Sequence, residues 1–149
     1  MVWKPHVTVA AVIERQGRFL LVEECPDGGA PVYNQPAGHL EPGEGLIEAT
    51  IRETLEETAR VFAPQALTGI YRWYNPDNDT TFLRICLSGH CGEQDPTLSL
   101  DEGILGTVWL SVDELRAAPE RLRSPMVLRC IEDYLAGNRY PLELLQDVS

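Results

Sequence analysis

Apolar and polar positions change their period several times along the chain, and each change marks a boundary. Residues 7–13 are rich in β-branched and small apolar side chains, and 19–23 form a second apolar run. The polar stretch Glu14-Arg15-Gln16-Gly17 between them predicts a β-hairpin. A loop follows over 26–31 around Asp27-Gly28-Gly29, then a brief extended segment at 32–34. Residues 35–45 hold so much proline and glycine that they predict a long ordered loop without regular structure. At Leu46 the period lengthens: Ile47, Ile51, Leu55, Thr58 and Phe62 recur at three- and four-residue steps. That spacing predicts a helix ending before Pro64, with its apolar stripe toward the core. Two more strands are expected at 67–74 and 81–90 around the turn-rich Asn75-Pro76-Asp77-Asn78-Asp79, and a short one at 107–110 after a loop. Ser111-Val112-Asp113-Glu114 matches a capping box, and Ser124-Pro125 opens a last helix that Gly137 should stop.

Strands and helices are interspersed without repeats or a linker, so the fold class is α/β and residues 1–149 should form one domain. With 44% hydrophobic and 23% charged residues, the composition excludes collagen, coiled coil and extended disorder. Cys25, Cys86, Cys91 and Cys130 show no C-x-x-C pair and no zinc-like spacing with histidine, which predicts free thiols in a reducing compartment. A stretch of about 18 successive apolar residues does not occur, so no membrane span is expected, and a cytoplasmic location is.

Charge changes the picture more. Twelve basic against 23 acidic residues give a net charge of −11, which repels a phosphate backbone and weighs against nucleic acid as a partner. Between Gly38 and Glu57, six glutamates (Glu41, Glu44, Glu48, Glu53, Glu56, Glu57) stand against the single Arg52, a block of −5. A solvated helix face is the plainest account of such a block, but spacing argues otherwise. At about 100° per residue, with Glu53 at the origin, Glu57 falls near 40° and Glu56 near 300°, on one face. Two carboxylates about 4 Å apart repel by roughly 4 kcal/mol at an effective dielectric of 20. An all-oxygen donor set of this kind suits Mg²⁺ or Mn²⁺, which join one or two carboxylates with water and substrate phosphates. The preceding Gly38-x4-Gly43 lacks the Lys-Ser/Thr of a P-loop, since Glu44-Gly45 stands there.

The run Gly38-x5-Glu44-x7-Arg52-Glu53-Thr54-x-Glu56-Glu57 resembles the Nudix box, G-x5-E-x7-R-E-U-x-E-E-x-G-U, with U aliphatic. Thr54 and Arg60 depart from the aliphatic positions. Ala59 replaces the second glycine and should disfavour a left-handed cap, so that the helix runs on toward Pro64. Further segments, Lys4 to Ala10, Asn34 to Glu41, Phe82-Leu83-Arg84, Arg123-Ser124-Pro125 and Arg139 to Glu143, are similar to a bacterial phosphatase of the same family. The resemblance implies an α/β/α sandwich with a mixed central sheet. It also implies a Mg²⁺-dependent hydrolase releasing orthophosphate from nucleoside di- and triphosphates, thiamine pyrophosphate and hydroxymethylpyrimidine pyrophosphate.

Roles follow from the box positions. Glu53, Glu56 and Glu57 would hold metal, with Glu53 also the base for the attacking water; Arg52 would orient Glu56 or Glu57, and Glu44 would be an additional ligand. A later loop acid is expected at Glu102, seven residues before Trp109, against the plainer reading of an ordinary loop acid beside Asp101. His39, Arg84, Arg123, Tyr74 and Phe82 are the candidates for substrate contact: His39 to phosphate or a proton, the arginines to phosphates, the aromatics (Trp73 with them) to a base ring. Each has a structural alternative, namely a loop position for His39, salt bridges for the arginines and core packing for the aromatics. Small phosphorylated compounds are the expected partners of a monomer or homodimer. Two alternatives stand beside the phosphatase: cleavage of an inner bond of a dinucleotide or sugar nucleotide, and a ligand-binding module without turnover.

Overall fold

Gln16 and Gly17 both adopt positive φ, 53° and 78°, and this two-residue turn closes a hairpin of β1 (His6–Arg15) and β2 (Arg18–Glu24). The computed structural model describes residues Met1–Ser149, apart from the side chain of Asp27. After the hairpin come β3 (Val32–Asn34), β4 (Ala37–His39), α1 (Leu46–Thr58), β5 (Phe62–Asn75), β6 (Thr80–Cys91), β7 (Ile104–Leu110), α2 (Val112–Ala117) and α3 (Pro125–Leu135). The strands form a seven-stranded mixed sheet in the order β3-β2-β1-β6-β5, with β4 on β1 and β7 on β2. β1 and β6 are parallel from His6↔Phe82 to Ile13↔Gly89, whereas the other pairings between named strands are antiparallel.

Alternation along β1 divides the interior. Val9, Ala11 and Ile13 join Leu20, Ala49, Phe62, Leu67, Ile85 and Leu87 beneath α1. Ala10 and Val12 join Phe19, Leu21, Cys86, Leu115, Cys130 and Ile131 beneath α2 and α3. Helices therefore cover both faces of the sheet, the α/β/α sandwich expected. The caps of the later helices also follow the sequence: Ser111 and Glu114 form the reciprocal capping box of α2, and Ser124 Oγ accepts from the Met126 amide at the head of α3.

Three expectations need correction. Residues 37–39, read as loop, pair with Thr8, Val9 and Ala10, because their backbone can satisfy the open edge of β1 where β2 has turned away. The helix ends at Thr58 and does not reach Pro64. Ala59 takes the left-handed conformation after all (φ 59°, ψ 28°). Its amide donates to the Leu55 carbonyl at 2.8 Å, its own carbonyl accepts from Asp95, and its methyl group is buried, so tertiary contacts hold a conformation that alanine alone disfavours. Finally, Ile47 and Ile51 of the expected stripe do pack against the core but, like Leu55, stay half-buried, whereas the fully buried residues of α1 are Ala49, Thr50, Glu53, Thr54, Glu57 and Thr58. The threonines can be buried because Thr50, Thr54 and Thr58 return their hydroxyls to the carbonyls of Leu46, Thr50 and Thr54. This also accounts for Thr54 at an aliphatic position of the box. Two of the carboxylates thus point inward, over β4.

Candidate active site

The inward carboxylates meet β4 at its two smallest residues. The Ala37 amide donates to Glu57 Oε1 at 2.9 Å. A Cβ placed on Gly38 would lie 2.2–2.3 Å from the carboxyl atoms of Glu53. Glycine at this point leaves the space that Glu53 occupies. One turn further along the outer rim of the helix, Glu56 comes forward, and its carbonyl accepts the amide of Asp101 at 2.9 Å. Carboxylate oxygens of Glu53, Glu56 and Asp101 all lie within 4.8 Å of one another. Such a hard, all-oxygen set fits a divalent cation.

Arg52 organises the acids on the other side. Its Nε and Nη2 donate to the two oxygens of Glu44 at 2.8 and 2.7 Å, its Nη1 to Glu53 at 2.8 Å and Glu56 at 3.1 Å, and Nη2 also to the His39 carbonyl. The bidentate bond from Arg52 holds the Glu44 carboxyl below the usual carboxylate range. Burial pushes Glu53 up, against the pull of Arg52. Glu57 lacks such a partner: burial, opposed by the Ala37 amide and reinforced by Glu53, Glu24 and Asp101, pushes its carboxyl up to about 9. A buried set of acids that resists ionisation on its own is one that a cation would relieve.

Beside the acids lies a cavity of about 450 Å³, lined by Glu53, Glu57, His39, Phe82, Arg84 and Arg123 among others. Trp73 stacks on Phe82 along one wall, ring centroids 5.7 Å apart and 17° from parallel, and His6 meets the edge of Phe82. His39 Nε2 lies 3.1 Å from His6 Nδ1, and burial, with His6 beside it, lowers the His39 pKa.

The structure brings Glu53, Glu56, Arg52, Glu57, His39, Arg84, Arg123 and Phe82 to this one region. Tyr74 is not among them. It stands next to Trp73 on β5, so strand alternation sends it to the other face, where its hydroxyl donates to Asp79. Glu44 is committed to Arg52 through both oxygens and also accepts the Glu41 amide. Arg52 accordingly touches Glu53 and Glu56 but not Glu57, whose partner is the Ala37 amide. In the late loop it is Asp101 that joins the helix acids; Glu102 lines a smaller adjoining cavity of about 210 Å³ with Glu24, Glu57 and Asp101. Arg123 has a carboxylate of its own, Glu24, at 3.4 Å. Sequence reasoning did not single out Thr8, Asn34 and Gln35: they lie in the segments similar to the family, but strand pairing places Thr8 and Asn34 and a bond to the Val127 carbonyl fixes Gln35.

A NUDIX domain profile matches residues 4–129. Phosphatase NudJ of Escherichia coli (strain K12) is 44% identical over 145 residues, spanning 97% of this chain and 93% of that protein. Among solved structures, a NUDIX hydrolase from Nitrosomonas europaea superposes with a TM-score of 0.94 at 56% identity over 97% of both chains. The MutT protein from Methanosarcina mazei Go1, at 24% identity and a TM-score of 0.72 over 93% of this chain and 99% of that one, shares the fold.

Proposed function

The chain belongs to the Nudix hydrolase family, whose members cleave phosphoric anhydride bonds, and from that premise we propose a Mg²⁺-dependent phosphohydrolase that removes terminal orthophosphate. Its substrates would be nucleoside di- and triphosphates and related pyrophosphates, including thiamine pyrophosphate and hydroxymethylpyrimidine pyrophosphate. The observation that carries this reading is the meeting of Glu53, Glu56 and Asp101 within 4.8 Å at the edge of the 450 Å³ cavity. Similarity to NudJ over 97% of the chain supports the choice of the terminal phosphate over an inner bond.

Glu53, Glu56, Asp101 and Glu57 are the residues that would hold the cation. Mn²⁺ would serve in place of Mg²⁺. When bound, the cation offsets the charge of the phosphoryl group and polarises its P–O bonds. Glu53 accepts the proton of the attacking water as the water oxygen bonds to the terminal phosphorus and the bridging P–O bond breaks, so no covalent enzyme intermediate forms. Arg52 fixes Glu53 and Glu56, while Glu44 anchors Arg52. His39, Phe82 and Trp73 border the organic part of the substrate, and Arg84 and Arg123 supply positive charge to an otherwise acidic cavity.

A panel of phosphorylated compounds with Mg²⁺, scored for orthophosphate against pyrophosphate, tests the reading. Orthophosphate should dominate, and Glu53→Gln should lower kcat by at least about 10²-fold, the usual weight of a positioned base. Full activity without a divalent cation would sink the proposal. Pyrophosphate or nucleoside monophosphate as the first product would move the cleavage to an inner bond, and tight binding without turnover would make the chain a binding module.

A further inference from the structure

On the cavity floor two buried polar groups lack protein partners. Thr8 and Arg84 face each other across the parallel β1–β6 register; both line the cavity and are at least nine-tenths buried, with exposures of 7% and 4%. Among the described residues, Thr8 Oγ1 and Arg84 Nε have no hydrogen-bond partner. Arg84 is a cation without an adjacent carboxylate: Nη1 donates to Gln35 Oε1 at 2.8 Å and Nη2 to Asn34 Oδ1 at 3.1 Å, both neutral amides. The amides are themselves fixed. Gln35 Nε2 donates to the Val127 carbonyl of α3 at 2.7 Å, which turns Oε1 toward the guanidinium, and Asn34 Nδ2 points to Glu24. A buried charge is normally paired, and a buried hydroxyl normally bonded. Here three strands, a loop and a helix combine to hold a guanidinium whose neighbours, the two amides and the buried Cys130 thiol, include no carboxylate, beside a free hydroxyl.

We infer that Thr8 and Arg84 form an oxyanion-binding floor, with Gln35 and Asn34 as positioning residues, that takes a substrate phosphoryl group other than the one at the acid cluster. The inference rests on the hydrolase reading for the identity of the ligand. Its physical basis is separate: the acids repel an anion unless a cation is present, whereas the floor attracts one without help. An arriving phosphoryl oxygen supplies the missing counter-charge to Arg84 and an acceptor for the Thr8 hydroxyl.

The test is calorimetric titration with methylenediphosphonate, a hydrolysis-resistant diphosphate with no organic group, in metal-free buffer and again with Mg²⁺. Arg84→Met keeps the aliphatic stem and removes the charge; Thr8→Val keeps the shape and removes the hydroxyl. The wild type should bind in both buffers, with affinity lower by at least about tenfold in Arg84→Met and about threefold in Thr8→Val. Ligand-free Thr8→Val should melt no lower than the wild type, since it deletes a hydroxyl that has no partner. Equal affinity in the variants, no binding by the wild type, or a melting point several degrees lower in Thr8→Val would overturn the inference. If the compound panel is hydrolysed but the variants bind normally, the floor fails and the hydrolase stands. Variant-sensitive binding with no hydrolysis gives the reverse.

Discussion

Removing the guanidinium of Arg52 leaves Glu44, Glu53 and Glu56 without the cation that now lies between them. Arg52→Gln should therefore lower kcat/KM by about 10–100-fold, the weight of an orienting partner in a metal site, and weaken Mg²⁺ binding by a similar factor. Arg52→Lys keeps the charge, but its single ammonium cannot meet both oxygens of Glu44 and reach Glu53 and Glu56 as well, so it should recover only part of that loss. Steady-state kinetics with a Mg²⁺ titration distinguishes the two variants; equal activity in Arg52→Lys and the wild type would refute the bridging role. At this scale the sequence was informative wherever spacing alone specifies chemistry. The box predicted that three glutamates would share one face and that Arg52 would orient Glu56 or Glu57, but not that Arg52 would grip Glu44 through both oxygens, because side-chain pairing between a loop and a helix has no period.

Strand β4 and helix α1 form the element pair on which the site depends, and at Gly38 the strand leaves no room for a side chain beside the Glu53 carboxyl. Gly38→Ala puts a methyl group into the Glu53 carboxyl, with contacts far inside van der Waals range. Overpacking of this kind costs about 1–3 kcal/mol, and the more easily moved partner is the carboxylate. The expected result is a loss of kcat of at least about tenfold with a smaller change in urea midpoint; unchanged kcat would mean that Glu53 has room to spare. Most elements were legible because their patterns are local: the hairpin turn, the capping box of α2 and the Ser-Pro head of α3. β4 was not, since three residues of Ala-Gly-His gain strand character only from the exposed edge of β1. The inward turn of the α1 carboxylates was hidden for a related reason. Ile47 and Ile51 do pack against the core, yet the fully buried positions beside them go to threonines that bond their own backbone and to the two inward glutamates. Asp101 lies in a loop whose approach to α1 is fixed by backbone bonds to Glu56 and Ala59, which leave no trace in residue type.

For the whole molecule, the net charge of −11 includes carboxyls that are not ordinary surface acids, and pH makes their cost visible. A carboxyl whose folded pKa lies above its unfolded value binds more protons when folded. Its contribution to stability is complete below about 4.5 and is lost as pH rises toward the folded value, here about 9 for Glu57. Glu53 shifts in the same direction. His39 acts oppositely, because a lowered histidine pKa adds stability as pH rises through about 6.5, and Glu44 completes its contribution below that. Between pH 7 and 8.5 the acids of α1 should therefore dominate, and the metal-free protein should lose about 2 kcal/mol, equivalent to a melting point lower by about 5 °C for a chain of this size. Mg²⁺ must displace the same protons. Millimolar Mg²⁺ should accordingly raise the melting point more at pH 8.5 than at pH 7, and in Glu57→Gln the slope in metal-free buffer should flatten. A melting point independent of pH across this interval, or a Mg²⁺ increment that is the same at both ends of it, would show that Glu57 is already ionised in the folded chain and that no proton competes with the cation there.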